Sequence, residues 1–176
     1  MEKNKEFWEA LKENCHKGNQ TAIHEKSTTF NLGINSTESL SWYHIDTKTN
    51  LKSNIYNFYY DAQERKVCDY IGIYTSNKHC ILLVEIKSGS NLKDGVIQLD
   101  ATFTQLKHEL KKCESPISLV LAHRGATPDN VKIFQKKYKE MKDVKVKLVS
   151  VSVKSKSASV SENDKLAITW KREPES

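Results

Sequence analysis

The chain has 176 residues, with 28 lysines and arginines against 22 aspartates and glutamates, a formal net charge of +6, and 38% hydrophobic residues. That length predicts one domain able to bury about 70% of its unfolded surface without a disulfide or structural metal, and the longest apolar stretch, residues 80–84, falls far short of the ~18 a membrane span needs. No charged-then-apolar leader opens the sequence and Cys15, Cys68, Cys80 and Cys113 form no Cys-x-x-Cys pair, so a cytoplasmic protein without a zinc ribbon or thioredoxin motif is expected.

Residues 2–17 place Phe7, Leu11 and Cys15 at helical spacing ahead of Gly18, which predicts a first helix. Residues 26–54 are rich in Ser, Thr and Asn, with one short strand expected at 42–45. A strand is predicted at 55–60, followed by a polar turn at 61–66 and two strands at 67–74 and 80–87 joined by a five-residue hairpin loop. After a loop at 88–94, Val96, Leu99, Phe103, Leu106, Leu110 and Cys113 alternate in spacings of three and four, the stripe of an amphipathic helix.

The apolar run 116–122 reads as a strand covered on both faces. Thr127 and Pro128 predict the start of a third helix that buries Val131, Phe134, Tyr138 and Met141. In 144–153 the apolar parity switches from even to odd positions, which predicts a strand with a bulge near Leu148. A serine-rich loop at 155–163, a last strand carrying Leu166, Ile168 and Trp170, and a charged tail at 171–176 complete the chain. The expected fold class is α/β, one domain over residues 1–176 with a mixed central sheet and flanking helices, and parallel strands at 80–87 and 116–122.

The chemistry gathers at Asp69, Glu85 and Lys87. Opposed residues of an antiparallel hairpin have a constant index sum, and a loop centred on Asn77 sets Asp69 opposite Glu85, with Lys87 on the same side by alternation. Like charges directly opposed are destabilising. Two readings follow: a divalent cation such as magnesium or manganese held between the carboxylates, or a sheet edge where Lys87 pairs with them and all three face solvent.

Val67-Cys68-Asp69 and Val84-Glu85-Ile86-Lys87-Ser88-Gly89, with 15 residues between Asp69 and Glu85, and then Gln98-Leu99 resemble the PD-(D/E)xK, or restriction-endonuclease-like, nuclease superfamily. The resemblance covers about residues 55–125, with 26–54 as a polar insertion, and extends to the order helix, three-strand meander, helix, strand. It implies that Asp69 and Glu85 bind Mg2+ (or Mn2+) with the carbonyl of Ile86, that Lys87 orients and activates the attacking water, and that Gln98 lies near the site. The sequence departs from it in two places: Cys68 stands where proline is usual, and Thr102 where some members have tyrosine. Glu6 and Glu9 are candidates for an upstream acid or are solvated helix charges, and His123 and Arg124 either contact a phosphate or form a solvated loop pair.

The implied activity is a magnesium-dependent nuclease, with DNA favoured over RNA and a homodimer or a targeting partner protein expected. The alternative is a non-catalytic scaffold that holds nucleic acid or a protein. Only Arg65, Arg124 and Arg172 are arginines among the 28 cations, so nucleic-acid binding is expected through phosphates more than bases.

Overall fold

A computed structural model describes residues 2–19, 22–25, 28–32, 34, 36–75, 79–87, 91–123 and 129–152. The predicted cap at Thr127–Pro128, the loop at 155–163, the strand carrying Leu166, Ile168 and Trp170, and the tail at 171–176 lie outside those residues, as do Arg124, Ser88 and Gly89.

Phe7 and Leu11 are fully buried on helix α1 (Glu2–Asn14), as their spacing requires. The helix stops sooner than expected because His16–Gly18 is a short strand, β1, entered when His44 donates its amide to the Cys15 carbonyl at 2.8 Å. Gly18 has φ of 114°, in the left-handed region that favours glycine. The polar stretch that follows holds more strand than its composition announces. Ala22–Glu25 (β2) and Thr28–Asn31 (β3) pair antiparallel as a separate two-stranded sheet, and Ser39–His44 forms β4.

The strand predicted at 55–60 is instead a 3₁₀ turn over Ile55–Phe58. Ile55 and Tyr59, four apart, are both buried, a spacing that one helical turn satisfies as well as a strand does. The meander therefore consists of β4, β5 (Tyr70–Thr75) and β6 (His79–Lys87), paired antiparallel. The β5–β6 register runs from Thr75–His79 to Tyr70–Val84, the index sum the hairpin predicted.

Helix α2 (Leu92–Lys111) begins inside the expected loop and buries Val96, Leu99, Phe103, Leu106 and Leu110. It leads into β7 (Ile117–His123), buried at every position and parallel to β6. Helix α3 (Asp129–Lys139) buries Val131 and Tyr138 and connects to β8 (Val146–Ser152), parallel to β7. The six-stranded sheet has the order β1-β4-β5-β6-β7-β8, so the class is α/β with a mixed sheet and, among the described residues, three α-helices.

No bulge interrupts β8: its seven pairs with β7 run unbroken from Ile117–Val146 to His123–Ser152. The parity switch has another cause. Val146 and Leu148 join the core beneath the helices, while Val151 joins the core on the opposite face, with Val149 packed against it. That second face is covered by the β2–β3 hairpin through Ile23 and Phe30, which meet Trp42, Leu82, Val84 and Val120. No helix among the described residues is long and apolar enough to cross a membrane.

Gly72 stands opposite Trp42 in the β4–β5 register, and a Cβ there would lie 2.4 Å from the Trp42 ring. Because Trp42 is fully buried and has nowhere to retreat, Gly72→Ala is expected to destabilise the fold by about 1–3 kcal/mol. Urea unfolding against the wild type measures it, and an unchanged midpoint would show that the ring can shift.

Candidate functional site

Along β6 the odd residues Ile81 and Leu83 enter the core beneath the helices, and Glu85 and Lys87 continue on that face. Glu85 is 1% exposed and Asp69 5%. A carboxylate thus occupies a position whose alternation calls for an apolar side chain.

The last β5–β6 pair is Tyr70–Val84, and the next step of the same register sets Asp69 against Glu85. Where the ladder stops, the two acids take over backbone groups of the opposite chain. The Asp69 amide donates to Glu85 Oε2 at 3.1 Å, and the Ile86 amide donates to Asp69 Oδ2 at 2.7 Å. Lys87 Nζ lies 2.6 Å from Glu85 Oε1 and donates to Gln98 Oε1 at 2.7 Å. Gln98 Nε2 then donates to the Val67 carbonyl at 3.1 Å, which closes a polar ring back to the segment before β5.

Helix α2 fits against this ring because Gly95 has no side chain. A Cβ at Gly95 would lie 2.6 Å from Leu121 Cδ1 and 3.1 Å from Lys87 Cγ, so the lysine stem passes directly over the first turn of the helix. One turn beyond Gln98, Thr102 donates to the Gln98 carbonyl and accepts the Cys68 amide, each at 2.8 Å. Gln105 continues the row, accepting the Asp61 amide at 2.9 Å.

The sequence-predicted residues Asp69, Glu85, Lys87 and Gln98 are therefore together. Glu6 and Glu9 are exposed on α1, and neither is among the charges that bear on Asp69 or Glu85. The acids whose charges do reach Asp69 are Glu25 and Asp46. Asp46 follows β4, where the amides of Ile45 and Asp46 donate to the Asp69 carbonyl at 3.0 and 3.4 Å. Nothing local in the sequence marks Asp46, because an Asp after a strand reads as an ordinary turn residue. His123 is fully buried at the end of β7, beside Lys87 in the parallel register, with Nε2 2.6 Å from Ser150 Oγ. It is neither a solvated loop residue nor a solvent-facing phosphate contact.

No family model, curated protein or solved structure matches the chain. Among the described residues, no three His, Cys, Asp or Glu side chains are grouped to hold a metal ion by themselves. Two carboxylates are nevertheless enough for magnesium, which keeps several waters and takes its remaining ligands from substrate phosphate. The charge balance also suits a cation, since Asp69 and Glu85 are both buried and share one ammonium, Lys87.

Burial disfavours both charges. It pushes the Asp69 carboxyl up to about 7, against the Ile86 hydrogen bond that favours the charged form, and Glu25 and Asp46 add repulsion. Glu85 is raised well above the usual carboxylate range by burial first and by Asp69 second. The folded protein then binds protons that the unfolded chain releases, so these groups support folding at low pH and lose that support as pH rises from about 4 through about 7. Asp69→Asn keeps an acceptor for Ile86 and removes the ionisation. In EDTA its stability relative to wild type is expected to grow with pH, reaching a gain of about 1–3 kcal/mol at pH 8. Urea unfolding at pH 5 and pH 8 checks this, and a pH-independent difference would contradict it.

Proposed function

We propose that this chain is a metal-dependent nuclease of the PD-(D/E)xK type that hydrolyses phosphodiester bonds in DNA. The observation that carries the reading is the closed ring from Asp69 through Glu85, Lys87 and Gln98 to Val67, at the end of the β5–β6 ladder. Three further features support it: the meander β4-β5-β6, the helix α2 that follows, and the parallel strand β7, an order similar to the restriction-endonuclease-like core.

Asp69 and Glu85 would hold Mg2+ or Mn2+, with the Ile86 carbonyl as the further ligand the resemblance implies. A bound magnesium ion lowers the pKa of water and neutralises charge on the phosphoryl oxygens. Lys87 supplies the fixed positive charge. Its ammonium has three N–H donors, and Glu85 and Gln98 take two, which leaves the third to hold a water or a phosphate oxygen. Gln98, fixed by the Val67 carbonyl, keeps the ammonium from swinging into solvent. Protein donors held in place before reaction cost no reorganisation as charge develops, which is where the rate gain lies.

Supercoiled plasmid incubated with magnesium or manganese, with an EDTA control, tests the activity. Wild type is expected to nick or cut in metal and to be silent in EDTA. Lys87→Ala, and Lys87→Gln, which retains a donor for Glu85, are expected to lose about 10²-fold or more in rate while the metal still raises their melting temperature by mass action. Asp69→Ala should lose that metal-dependent rise. Cleavage by both Lys87 variants at the wild-type rate would remove the lysine from the mechanism. Inert wild type and variants that all bind nucleic acid would instead assign the chain to the non-catalytic scaffolds.

Gly95→Ala probes the same geometry without touching a polar group. Helix propensity favours the alanine by about 1 kcal/mol, whereas the contacts at 2.6 and 3.1 Å force Leu121 or the Lys87 stem aside. Cleavage is expected to fall about tenfold or more, since misplacement near 1 Å already costs about 10²-fold, with much less effect on unfolding. Full activity in this variant would show that Lys87 does not depend on its passage over α2.

A further inference from the structure

The ring opens onto a cleft of about 370 Å³ bordered by the turn after β4, the segment before β5 and the first turns of α2. Residues 64–68 belong to no helix or strand, yet side chains hold most of the backbone groups there. Tyr56 Oη donates to the Arg65 carbonyl at 2.6 Å, Tyr59 Oη to the Lys66 carbonyl at 2.8 Å, and Gln98 Nε2 to the Val67 carbonyl at 3.1 Å. The amides of Arg65 and Lys66 both donate to Glu64 Oε1 at 2.8 Å, and the Cys68 amide donates to Thr102.

This scaffolding presents cations. Arg65 lies over the Tyr56 ring, 5.2 Å from its centroid, and donates from Nη1 to the carbonyls of Ala62 and Glu64. Lys66 is exposed and has no ion-pair partner among the described residues. Across the cleft, Asp46 ties the turn that carries the exposed Lys48, accepting from the Lys48 amide and from Thr49 Oγ1, each at 3.0 Å. Thr47 Oγ1 donates to Tyr56 Oη at 3.3 Å and so joins the two borders. Lys48, Arg65, Lys66 and Lys87 all line the cleft, whereas its acids, Asp46 and Asp94, are engaged by neighbouring donors.

We infer that Lys48, Arg65 and Lys66 form the substrate rim, gripping the phosphates of a nucleic-acid strand on either side of the phosphodiester brought to Lys87. The inference rests on the nuclease reading for what happens at Lys87, but the grip is a property of the rim itself. Two of the three rim cations are lysines, mobile point charges suited to phosphate, and Arg65 keeps only Nε and Nη2 after its Nη1 protons go to backbone carbonyls. Gln98, the lining amide, is occupied at both ends. The rim therefore binds backbone and is indifferent to sequence.

The test measures binding of a labelled 12-nucleotide single strand and of its duplex in EDTA, across a salt series, by anisotropy. Wild type is compared with Lys48→Met/Lys66→Met, which keeps the aliphatic stems, and with Lys136→Met/Lys139→Met on exposed positions of α3 as a charge-matched control. The rim variant is expected to bind about tenfold or more weakly, and its salt slope to fall by about 0.7–0.9 for each lost phosphate contact, while the control stays near wild type and scrambled sequences bind alike. Equal binding by rim variant and wild type overturns the rim, as does wild type that binds neither oligonucleotide or a rim loss no greater than the control's. Displacement of the strand by polyglutamate of equal charge at equal concentration also overturns it in favour of an acidic protein. Rim variants that bind normally while wild type cuts plasmid leave the nuclease reading standing. Binding lost in the rim variant while plasmid stays uncut in every metal leaves the rim and overturns the nuclease.

Discussion

Glu85 sits 1% exposed on the helix-facing side of β6, in line with Ile81 and Leu83, and the geometry around it follows from the cost of holding a carboxylate there. An ion removed from water loses several kcal/mol of hydration and persists only where partners satisfy it. The partners come from the residues around it: the Asp69 amide just before β5, the Lys87 ammonium from β6 itself, and Gln98 from α2 as the lysine's second acceptor. Remove the acid and the Asp69 amide and the Lys87 ammonium each lose an acceptor. An apolar residue would be the more stable choice at this position, so the acid marks a place where the chain departs from its own best packing.

What tolerates that departure is the core on either side. Strand β7 is buried at all seven positions, and it pairs with β6 and β8 in uninterrupted parallel register. Helix α2 lays its apolar stripe against the same face, where each well-buried leucine or phenylalanine contributes about 1.5–3 kcal/mol. The acid pair lies at the end of the β5–β6 ladder, where pairing gives way and carboxylates can accept the amides that strand partners no longer take. Stability is concentrated in the middle of the sheet and the polar chemistry at its margin.

Those same facts govern what the sequence disclosed. The hairpin register was legible because a symmetric loop fixes an index sum, and α2 because six apolar residues repeat at three and four. The 3₁₀ turn at Ile55–Phe58 was not, since buried residues four apart fit either element and only contact with the core decides. The β2–β3 hairpin escaped notice because Ile23 and Phe30 give its strands too few anchors for a period to show. The apparent bulge in β8 was two-sided burial, a pattern that mimics a parity switch. Asp46 and Glu25 reach Asp69 only through the fold, from an ordinary turn and from a strand of a separate sheet.

Gln98, Thr102 and Gln105 show how the margin is made rigid. They lie four and three residues apart on α2, one polar row beside the apolar stripe, and they bond in turn to Val67, Cys68 and Asp61. Each tethers part of the connection between the 3₁₀ turn and β5, which has no ladder of its own. Thr102, where a tyrosine would stand in some nucleases of the type the chain resembles, uses its short hydroxyl to accept the Cys68 amide while donating to Gln98. A bulkier residue there could not occupy a site that is fully buried and still lie against that backbone. The row thus couples two demands: the bonds that fix Gln98 beneath Lys87 also fix the segment carrying Arg65 and Lys66, so the polar ring and the charged border of the cleft are positioned by one helix.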